Sequence, residues 1–178
     1  MYKYAVRWMI RRNIAKLNDG QLRPVLSMFA ADAQLCFPGV NTWSCQFRPA
    51  VTGRRAFASH RGRDEIEEFL VRYTNHRIQM SIEDILVNGP PWNTRVAVRA
   101  HVWAAGPEGG DVYDNRAVLM INVRWGTIRR QEDYEDTERA AMFDRYNELR
   151  VSRSSSGNGR SRLRQVAAST ATPSGAST

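Results

Sequence analysis

The sequence is poor in the residues that build metal centres and disulfides. Only two of its 178 residues are cysteine, Cys36 and Cys45, and their spacing fits neither a zinc site nor a disulfide framework. Cys36 lies in the apolar stretch LCFPG, where a small buried side chain is the simplest interpretation. Histidine occurs three times, and no His/Cys/Asp/Glu spacing predicts a metal site. We therefore expect no metal.

Long apolar runs and glycine-rich phosphate loops are also missing. No run approaches the roughly 18 apolar residues that a membrane-spanning helix needs. The N-terminal stretch MYKYAVRWMIRRNIAKL is too charged for the apolar core of a signal peptide. The stretch GPEGG (106–110) lies between two predicted strands, so it is a turn and not a nucleotide cradle. We expect a cytoplasmic protein with no cofactor and no membrane partner.

Acidic residues are absent from the C-terminal stretch of this basic chain. The net charge is +8, and residues 151–178 hold four arginines and no acid among many Ser, Gly, Thr and Ala. Such a composition buries too little apolar surface to fold. We therefore predict one domain over residues 1–150 and a disordered tail over residues 151–178.

Nucleic acid is not expected as a partner. Arginine outnumbers lysine 24 to 2, which we interpret mainly as the mark of a GC-rich genome. The domain shows no stripe of basic residues interleaved with aromatic ones. The arginines of the tail give only a modest, salt-sensitive attraction to nucleic acid or to an acidic membrane.

The hydrophobic period changes halfway along the chain, which predicts an α+β fold. Apolar residues at helical spacing predict helices in the first half, and alternation predicts strands in the second half. A short strand over 33–39 and a long loop over 40–61 separate the second and third helices. The predicted helices lie over 6–17, 22–29 and 62–76 and from residue 137, and the predicted later strands over 77–89, 94–105, 112–125 and 127–136.

Four carboxylates crowd the end of the last predicted strand, in the stretch QEDYED (131–136). Because side chains alternate across a strand, Glu132 and Asp136 share one face with Ile128, while Asp133 and Glu135 share the other. Asp136 can cap the following helix. Asp133 is the acid that we expect to point inward.

Three stretches carry a resemblance to a known family. FPG comes before GRDEIEEFL, VYDNRAVLMINV begins with Tyr-x-Asn, and WGTIRRQEDYED combines a Gly-x-Ile turn with a Tyr-x-Asp strand end. Over residues 5–145 they resemble the SnoaL-like group of the nuclear-transport-factor-2-like (NTF2-like) superfamily. That group includes polyketide cyclases and relatives of ketosteroid isomerase and limonene-epoxide hydrolase. The resemblance implies a strongly curved antiparallel sheet wrapped around N-terminal helices, a conical apolar pocket for a small hydrophobic ligand, and a homodimer formed through the sheet.

The resemblance also implies a catalytic set on the strands. Asp133 matches the acid on the family's last strand and would be the general base. Arg99 matches the arginine of an Arg-x-Asp pair and would stabilise charge, and His101 replaces the aspartate of that pair as acid or base. The predicted ligand-binding residues of the pocket wall are Phe37, Trp103, Tyr113, Gln131 and Trp8.

The epoxide-hydrolase branch is matched in part. That branch holds its attacking water with a Tyr and an Asn two residues apart, where this chain has Gln34 and Cys36. A cofactor-free isomerase, cyclase or hydrolase of a small oxygenated molecule therefore remains the predicted activity. The alternative is a non-catalytic module that binds a ligand or dimerises.

Structural interpretations of the same residues stay open. Asp133 can be an ion-pair partner of Arg99 or Arg129. If Val96, Val98, Ala100 and Val102 form the concave face, Arg99 and His101 point to solvent or to a dimer partner. His60, in the loop before the third helix, is interpreted as a surface residue more readily than as part of a pocket lid.

Overall fold

The computed structural model describes residues 1–38 and 57–150. The predictions for Cys45 and for a disordered tail lie outside these residues. The chain divides into two compact units, Met1–Phe143 and Asp144–Thr178, and in the second unit residues 144–150 are helical. Within the described ranges, no helix is both long enough and apolar enough to cross a lipid bilayer.

The helices follow the predicted apolar stripes. Helix α1 (Tyr2–Asn18) buries Val6, Ile10 and Leu17, and it is followed by Gly20 at a φ of +72°, a conformation that favours glycine. Helix α2 (Leu22–Leu26) is a short turn after it. Helix α3 (Gly62–Asn75) buries one stripe and carries acidic residues in its first turn, where the helix dipole favours negative charge.

In the described part of the chain, six strands form a single mixed sheet beside these helices. The order is β2-β1-β6-β5-β4-β3; β1 and β6 run parallel, and the other neighbours are antiparallel. The α+β fold class is therefore confirmed, although the parallel β1–β6 pair makes the sheet mixed and not wholly antiparallel as predicted. The strands are β1 (Phe29–Pro38), β2 (Phe57–Arg61), β3 (Gln79–Asn88), β4 (Thr94–Ala105), β5 (Asp111–Arg124) and β6 (Thr127–Glu135).

One segment departs from the predicted loop over residues 40–61. Residues 57–61 form β2, because they pair antiparallel with β1 at the edge of the sheet, with His60 opposite Leu35. The sequence of this strand, FASHR, shows no alternation of apolar and polar residues that could have signalled it. Pairing with β1 overrides the weak local pattern.

Strand β4 shows which face of the sheet packs on the helices. Its side chains alternate between buried and exposed along nearly the whole strand, as expected for a sheet with one covered face. We call the covered side the inner face and the other side the outer face. The inner face of β4 carries Thr94, Val96, Val98, Ala100, Val102 and Ala104.

A β-bulge near the start of β6 decides which residues of that strand point inward. Asn122 pairs with Arg130 and Val123 with Ile128, so Arg129 is an extra residue. Such an insertion shifts the alternation by one position. Ile128 and Asp133 therefore are both buried, and the prediction that Ile128 shares a face with Glu132 is wrong.

Asp136 lies between β6 and a last helix, which covers residues 137–150. Its Oδ1 accepts hydrogen bonds from the backbone N–H groups of Glu138 at 3.0 Å and Arg139 at 3.3 Å. These contacts satisfy N–H groups that have no partner within the helix. The capping interpretation of Asp136 is confirmed.

Candidate functional site

A cavity of about 70 Å³ lies between the helices and the inner face of the sheet. Its wall is almost entirely apolar because α1, α3 and the strands all turn their buried stripes toward it. Representative residues of that wall are Ile10, Ile14, Leu17, Leu70, Ile121 and Ile128.

Asp133 is the carboxylate of this cavity. It lies on the inner face of β6 and is only 9% exposed. The side-chain amide of Gln131 donates to both of its oxygens, at 2.9 Å and 3.2 Å. Burial is the main reason why the pKa of Asp133 rises from 3.8 to about 8; the bonds from Gln131 lower it, and the charge of Glu135 raises it. The carboxyl group is therefore mostly protonated at neutral pH.

Tyr73, on α3, is another polar residue of the cavity wall, which also includes Asn13 and Gln131. Its hydroxyl is buried, and no hydrogen-bond partner is found for it within the described part of the chain. Burial raises the pKa of Tyr73 well above its ordinary value, and the negative charges of Asp133 and Glu135 raise it further. An unpaired buried hydroxyl costs free energy, and a ligand oxygen in the cavity would remove that cost.

A smaller cavity of about 30 Å³ adjoins the first. The two share the side chains of Phe69, Tyr73, Met80, Leu119 and Asp133. Asp133 and Tyr73 therefore face both spaces, and rotation of Met80 or Phe69 would change the boundary between them.

Tyr113 closes the far side of the smaller cavity within a hydrogen-bonded network. Its hydroxyl donates to Glu135 Oε2 at 2.9 Å and accepts from Asn115 Nδ2 at 3.0 Å. Its ring stacks on Phe143 at a centroid distance of 4.7 Å. Burial and the charge of Glu135 raise the pKa of Tyr113. The hydroxyl of Tyr113 therefore has both a donor and an acceptor partner.

The structure does not bring Arg99 and His101 to Asp133. Both lie on the outer face of β4, because Val98 and Ala100 of that strand occupy the inner face. Arg99 pairs with Glu83 at 2.9 Å, and His101 contacts Asp114 at 2.8 Å. The prediction that these two residues converge with Asp133 is corrected: the solvent-facing alternative describes their position.

The predicted pocket-wall residues divide in the same way. Gln131 lines the larger cavity, and Phe37 and Tyr113 line the smaller one. Trp103 lies on the outer face, where it stacks on His101 at a centroid distance of 5.0 Å. Trp8 is 55% exposed on α1 and lies outside both cavities. The placement of these two tryptophans in the pocket wall was wrong, because each lies on the uncovered side of its element.

The other acids of the QEDYED stretch have structural partners. Arg130 donates to Glu132, and Tyr134 donates to the same carboxylate at 2.8 Å. Glu132 therefore lies in an ion pair that lowers its pKa. Neither Arg99 nor Arg129 pairs with Asp133, since Arg129 binds Asp32.

His60 is buried, contrary to its interpretation as a surface residue. It is 8% exposed and packs against Phe37 and Phe69, with centroids 6.1 Å and 5.6 Å away. Cys36 is buried as expected, and burial raises the pKa of its thiol. Across residues 1–38 and 57–150, no three His, Cys, Asp or Glu side chains converge as metal ligands would.

Tyr73 is the site residue that sequence reasoning missed. It belongs to the apolar stripe of α3, where an aromatic residue is normally read as core. The only available signal was that its hydroxyl would need a partner in a stripe that otherwise contains hydrocarbon side chains.

Solved structures share this architecture. Bal32a from a soil-derived mobile gene cassette has a TM-score of 0.60 at 18% identity, covering 78% of this chain and 95% of its own. A putative isomerase from Bacillus subtilis has a TM-score of 0.56 at 18% identity, covering 76% and 90%. TerC, co-crystallized with polyporic acid, has a TM-score of 0.54 at 18% identity, covering 74% and 92%. At these identities the likeness concerns the fold.

The sequence itself matches a family model. No curated protein matches the chain, but the model of the SnoaL-like domain matches residues 10–131. The matched segment runs from α1 through the strands to Gln131, and so includes most of the cavity wall. The chain therefore belongs to the SnoaL-like domain family.

Proposed function

We propose that this domain binds a small, mostly apolar molecule with an oxygen function and exchanges a proton with it through Asp133. The observation that carries the proposal is that the buried carboxyl group of Asp133 and the buried hydroxyl of Tyr73, which has no partner among the described residues, face the same mostly apolar cavity. Convergent polar groups in an apolar cavity with a perturbed pKa are the usual mark of a reactive site.

The geometry favours a neutral Asp133 at the start of the reaction. With a pKa of about 8, the carboxyl group donates a proton or a hydrogen bond at neutral pH and becomes a base only above about pH 8. An apolar site can keep a carboxylic acid neutral for this purpose. Asp133 would pass its proton to a carbonyl oxygen of the ligand. The carboxylate that this transfer leaves would then take a proton from the adjacent carbon, so that the carbonyl becomes an enol. Tyr73 would donate a hydrogen bond to the same oxygen and stabilise the charge that develops on it.

Gln131 would hold the carboxyl group in place. Its amide donates to both oxygens of Asp133 and leaves the carboxyl hydrogen available to a ligand. The chemistry that fits this arrangement is isomerisation, cyclisation or hydrolysis of a molecule such as a steroid or polyketide. The co-crystallization of TerC with polyporic acid supports a small-molecule role for a cavity of this fold.

The cavity must enlarge to hold such a ligand. Its volume of about 70 Å³ is far below the roughly 300–1,000 Å³ of ordinary ligand pockets. Met28 and Met80 lie in its wall, and the flexible methionine side chain can take new rotamers at small cost. Ligand binding would therefore displace these methionines first.

A thermal-shift screen followed by turnover assays tests the proposal. Full-length protein is screened against steroids, terpenoid epoxides and aromatic polyketides, because a ligand specific for the folded state raises its stability. The conversion of any hit is then measured for the wild type and Asp133→Asn. We expect Asp133→Asn to lower kcat by about 10²–10⁴-fold, the usual contribution of acid–base catalysis.

A matched variant separates chemistry from charge. Asp32→Asn makes the same substitution at an exposed site, with a side chain 79% exposed, and is expected to keep wild-type turnover. Full turnover by Asp133→Asn would refute the catalytic proposal. Saturable binding without turnover in any variant would instead favour the non-catalytic, ligand-binding alternative.

The outer face supports a second proposal, a homodimer formed through the sheet. Val118, Met120 and Tyr134 are exposed there by 39%, 43% and 41%, while charged pairs of both signs, such as Arg99–Glu83, surround them. A face with an apolar centre and both charges at its rim is complementary to its own copy. Met120→Glu is expected to convert a dimer into a monomer in sedimentation velocity, and an unchanged dimer would refute this interface.

A further inference from the structure

Two tryptophans lie exposed at one end of the sheet, far from the proposed chemistry. Trp92, in the β3–β4 turn, is 57% exposed, and Trp125, in the β5–β6 turn, is 66% exposed. Their rings pack at a centroid distance of 6.0 Å and an angle of 44°. Trp125 has a φ of +51°, which is uncommon for a bulky residue. Neither burial nor backbone preference explains a tryptophan at this position.

The two turns are hydrogen-bonded to each other and are joined to the start of α1. The backbone N–H of Trp125 donates to the carbonyl of Pro91 at 2.7 Å. Thr94 Oγ1 donates its one hydrogen to the carbonyl of Pro90 at 2.7 Å. It therefore accepts the hydrogen bond from the Tyr2 hydroxyl, also at 2.7 Å. Tyr4, which is 74% exposed, therefore begins α1 at the same end as the tryptophans.

The segments that meet at this end carry no acid. Residues 1–18 hold five Lys or Arg and no Asp or Glu, and residues 85–107 and 115–131 also lack acids. Lys3 and Arg124 are exposed, and neither forms an ion pair with the residues that the structure describes. We call Lys3, Tyr4, Trp92, Arg124 and Trp125 the aromatic end.

We propose that the aromatic end docks on the surface of an anionic lipid bilayer. Tryptophan and tyrosine favour the level of the lipid headgroups, and lysine and arginine near an anionic surface each add attraction. The absence of acids from the converging segments provides the charge complementarity. The chain would thus lie on a membrane through its turns without any spanning segment, which departs from the sequence-based expectation of no membrane partner.

Lipid is favoured over nucleic acid by the packing of the rings. Bases stack on free aromatic faces, whereas Trp92 and Trp125 pack against each other. A lipid interface needs no free ring face, because insertion buries the whole indole pair. A bilayer would also be a source of apolar ligands for the cavity. The docking itself does not depend on the proposed proton exchange in that cavity.

Vesicle co-sedimentation of the full-length protein tests this proposal. Phosphatidylcholine vesicles with and without phosphatidylserine are the probes. We expect binding only with phosphatidylserine. The variant Trp92→Ser/Trp125→Asn should bind roughly tenfold more weakly or worse, because it removes the inserting apolar area. Lys3→Gln/Arg124→Gln should bind roughly thirtyfold more weakly, because it removes two charges at the lipid surface.

Controls keep the result specific to the aromatic end. Met142→Ser removes a side chain 57% exposed elsewhere, and Arg139→Gln removes an exposed charge on the same helix; both should bind as the wild type does. Thermal melting verifies that every variant is folded. The tail is present in all variants, so equal binding by wild type and both aromatic-end variants would assign the attraction to the tail and overturn the proposal.

Two further outcomes would overturn it. One is the absence of sedimentation with phosphatidylserine. The other is binding of a single-stranded oligonucleotide that is lost in the same variants while vesicles are ignored, which would reassign the aromatic end to nucleic acid. The vesicle assay does not measure turnover. Failure of the docking proposal is therefore distinguishable from failure of the proposed activity.

Discussion

The two faces of the sheet place the same kinds of residue in opposite physical situations. On the outer face, Asp114 contacts His101 and stays 59% exposed, so water and a partner stabilise its charge. On the inner face, Asp133 has no cationic partner among the described residues, and apart from Gln131 the cavity wall around it is mostly hydrocarbon. The difference teaches that position across the strand, and not residue type, makes a carboxylate chemically unusual.

A large contrast between the faces is expected in packing. Leu119, on the inner face of β5, is 2% exposed, whereas Leu86, on β3, is 62% exposed. Leu119→Ala should lower the free energy of unfolding by about 2–5 kcal/mol, because it leaves a cavity. Leu86→Ala should change it by less than about 0.5 kcal/mol. Urea unfolding measures both, and equal losses would mean that the assignment of the faces is wrong.

The pH dependence of stability sharpens the contrast at Asp133. Its pKa rises from 3.8 to about 8 on folding, so the unfolded chain releases this proton first as the pH rises. Stability from the protonated carboxyl is therefore complete below about pH 4 and is lost progressively up to about pH 8. The wild-type unfolding free energy should fall relative to that of Asp133→Asn by about 1.4 kcal/mol per pH unit in this range.

Urea unfolding measures that difference. The wild type and Asp133→Asn are compared from about pH 4.5 to about pH 8.5, roughly the interval between the unfolded and folded pKa values. The slope should flatten above about pH 8, where both states are ionised. A difference that does not change with pH would contradict the buried, neutral carboxyl.

Two buried tyrosines give a smaller contrast. Tyr73→Phe removes a hydroxyl that has no partner in the described part of the chain and should raise the free energy of unfolding by about 1 kcal/mol. Tyr113→Phe removes the donor to Glu135 and should lower it by about 1 kcal/mol. Chemical denaturation of both variants measures these two changes in the free energy of unfolding, which should have opposite signs. A loss of stability in Tyr73→Phe would show that its hydroxyl has a partner in the free protein.

The smallest effect is expected on the outer face. Arg99→Gln and His101→Gln break exposed pairs, which contribute about 0–1 kcal/mol. Their stability should thus be close to wild type, and any turnover should be retained because neither residue reaches the cavity. A large loss of activity in the double variant would restore these two residues to the catalytic set.

Much of the fold followed from local periodicity. The stripe of α1 and the alternation of β4 each repeat one period over several turns or residue pairs, so their elements could be predicted. Strand β2 could not, because its pairing with β1 is a long-range contact without a local signal. The bulge at Arg129 was also invisible, since an inserted residue changes the alternation without changing the composition.

The site was only partly predictable for related reasons. Asp133 was found because the family resemblance and the strand period agreed on it. Alternation showed that Arg99 and His101 share a face of β4 but not which face. The apolar residues that alternate with them, Val98 and Ala100, were the better signal that the face of Arg99 and His101 points outward. Tyr73 remained hidden, because whether a hydroxyl in an apolar helix stripe is satisfied depends on the assembled core.

A carboxyl-detected NMR titration of the aspartate side chains, compared between the wild type and Asp133→Asn, tests the central claim most directly. The account predicts one carboxyl carbon that titrates with a midpoint near 8 and is missing from the variant. If every aspartate carboxyl instead titrates below about pH 5, near the ordinary range for exposed groups, Asp133 is charged at neutral pH and the proposed proton donor does not exist.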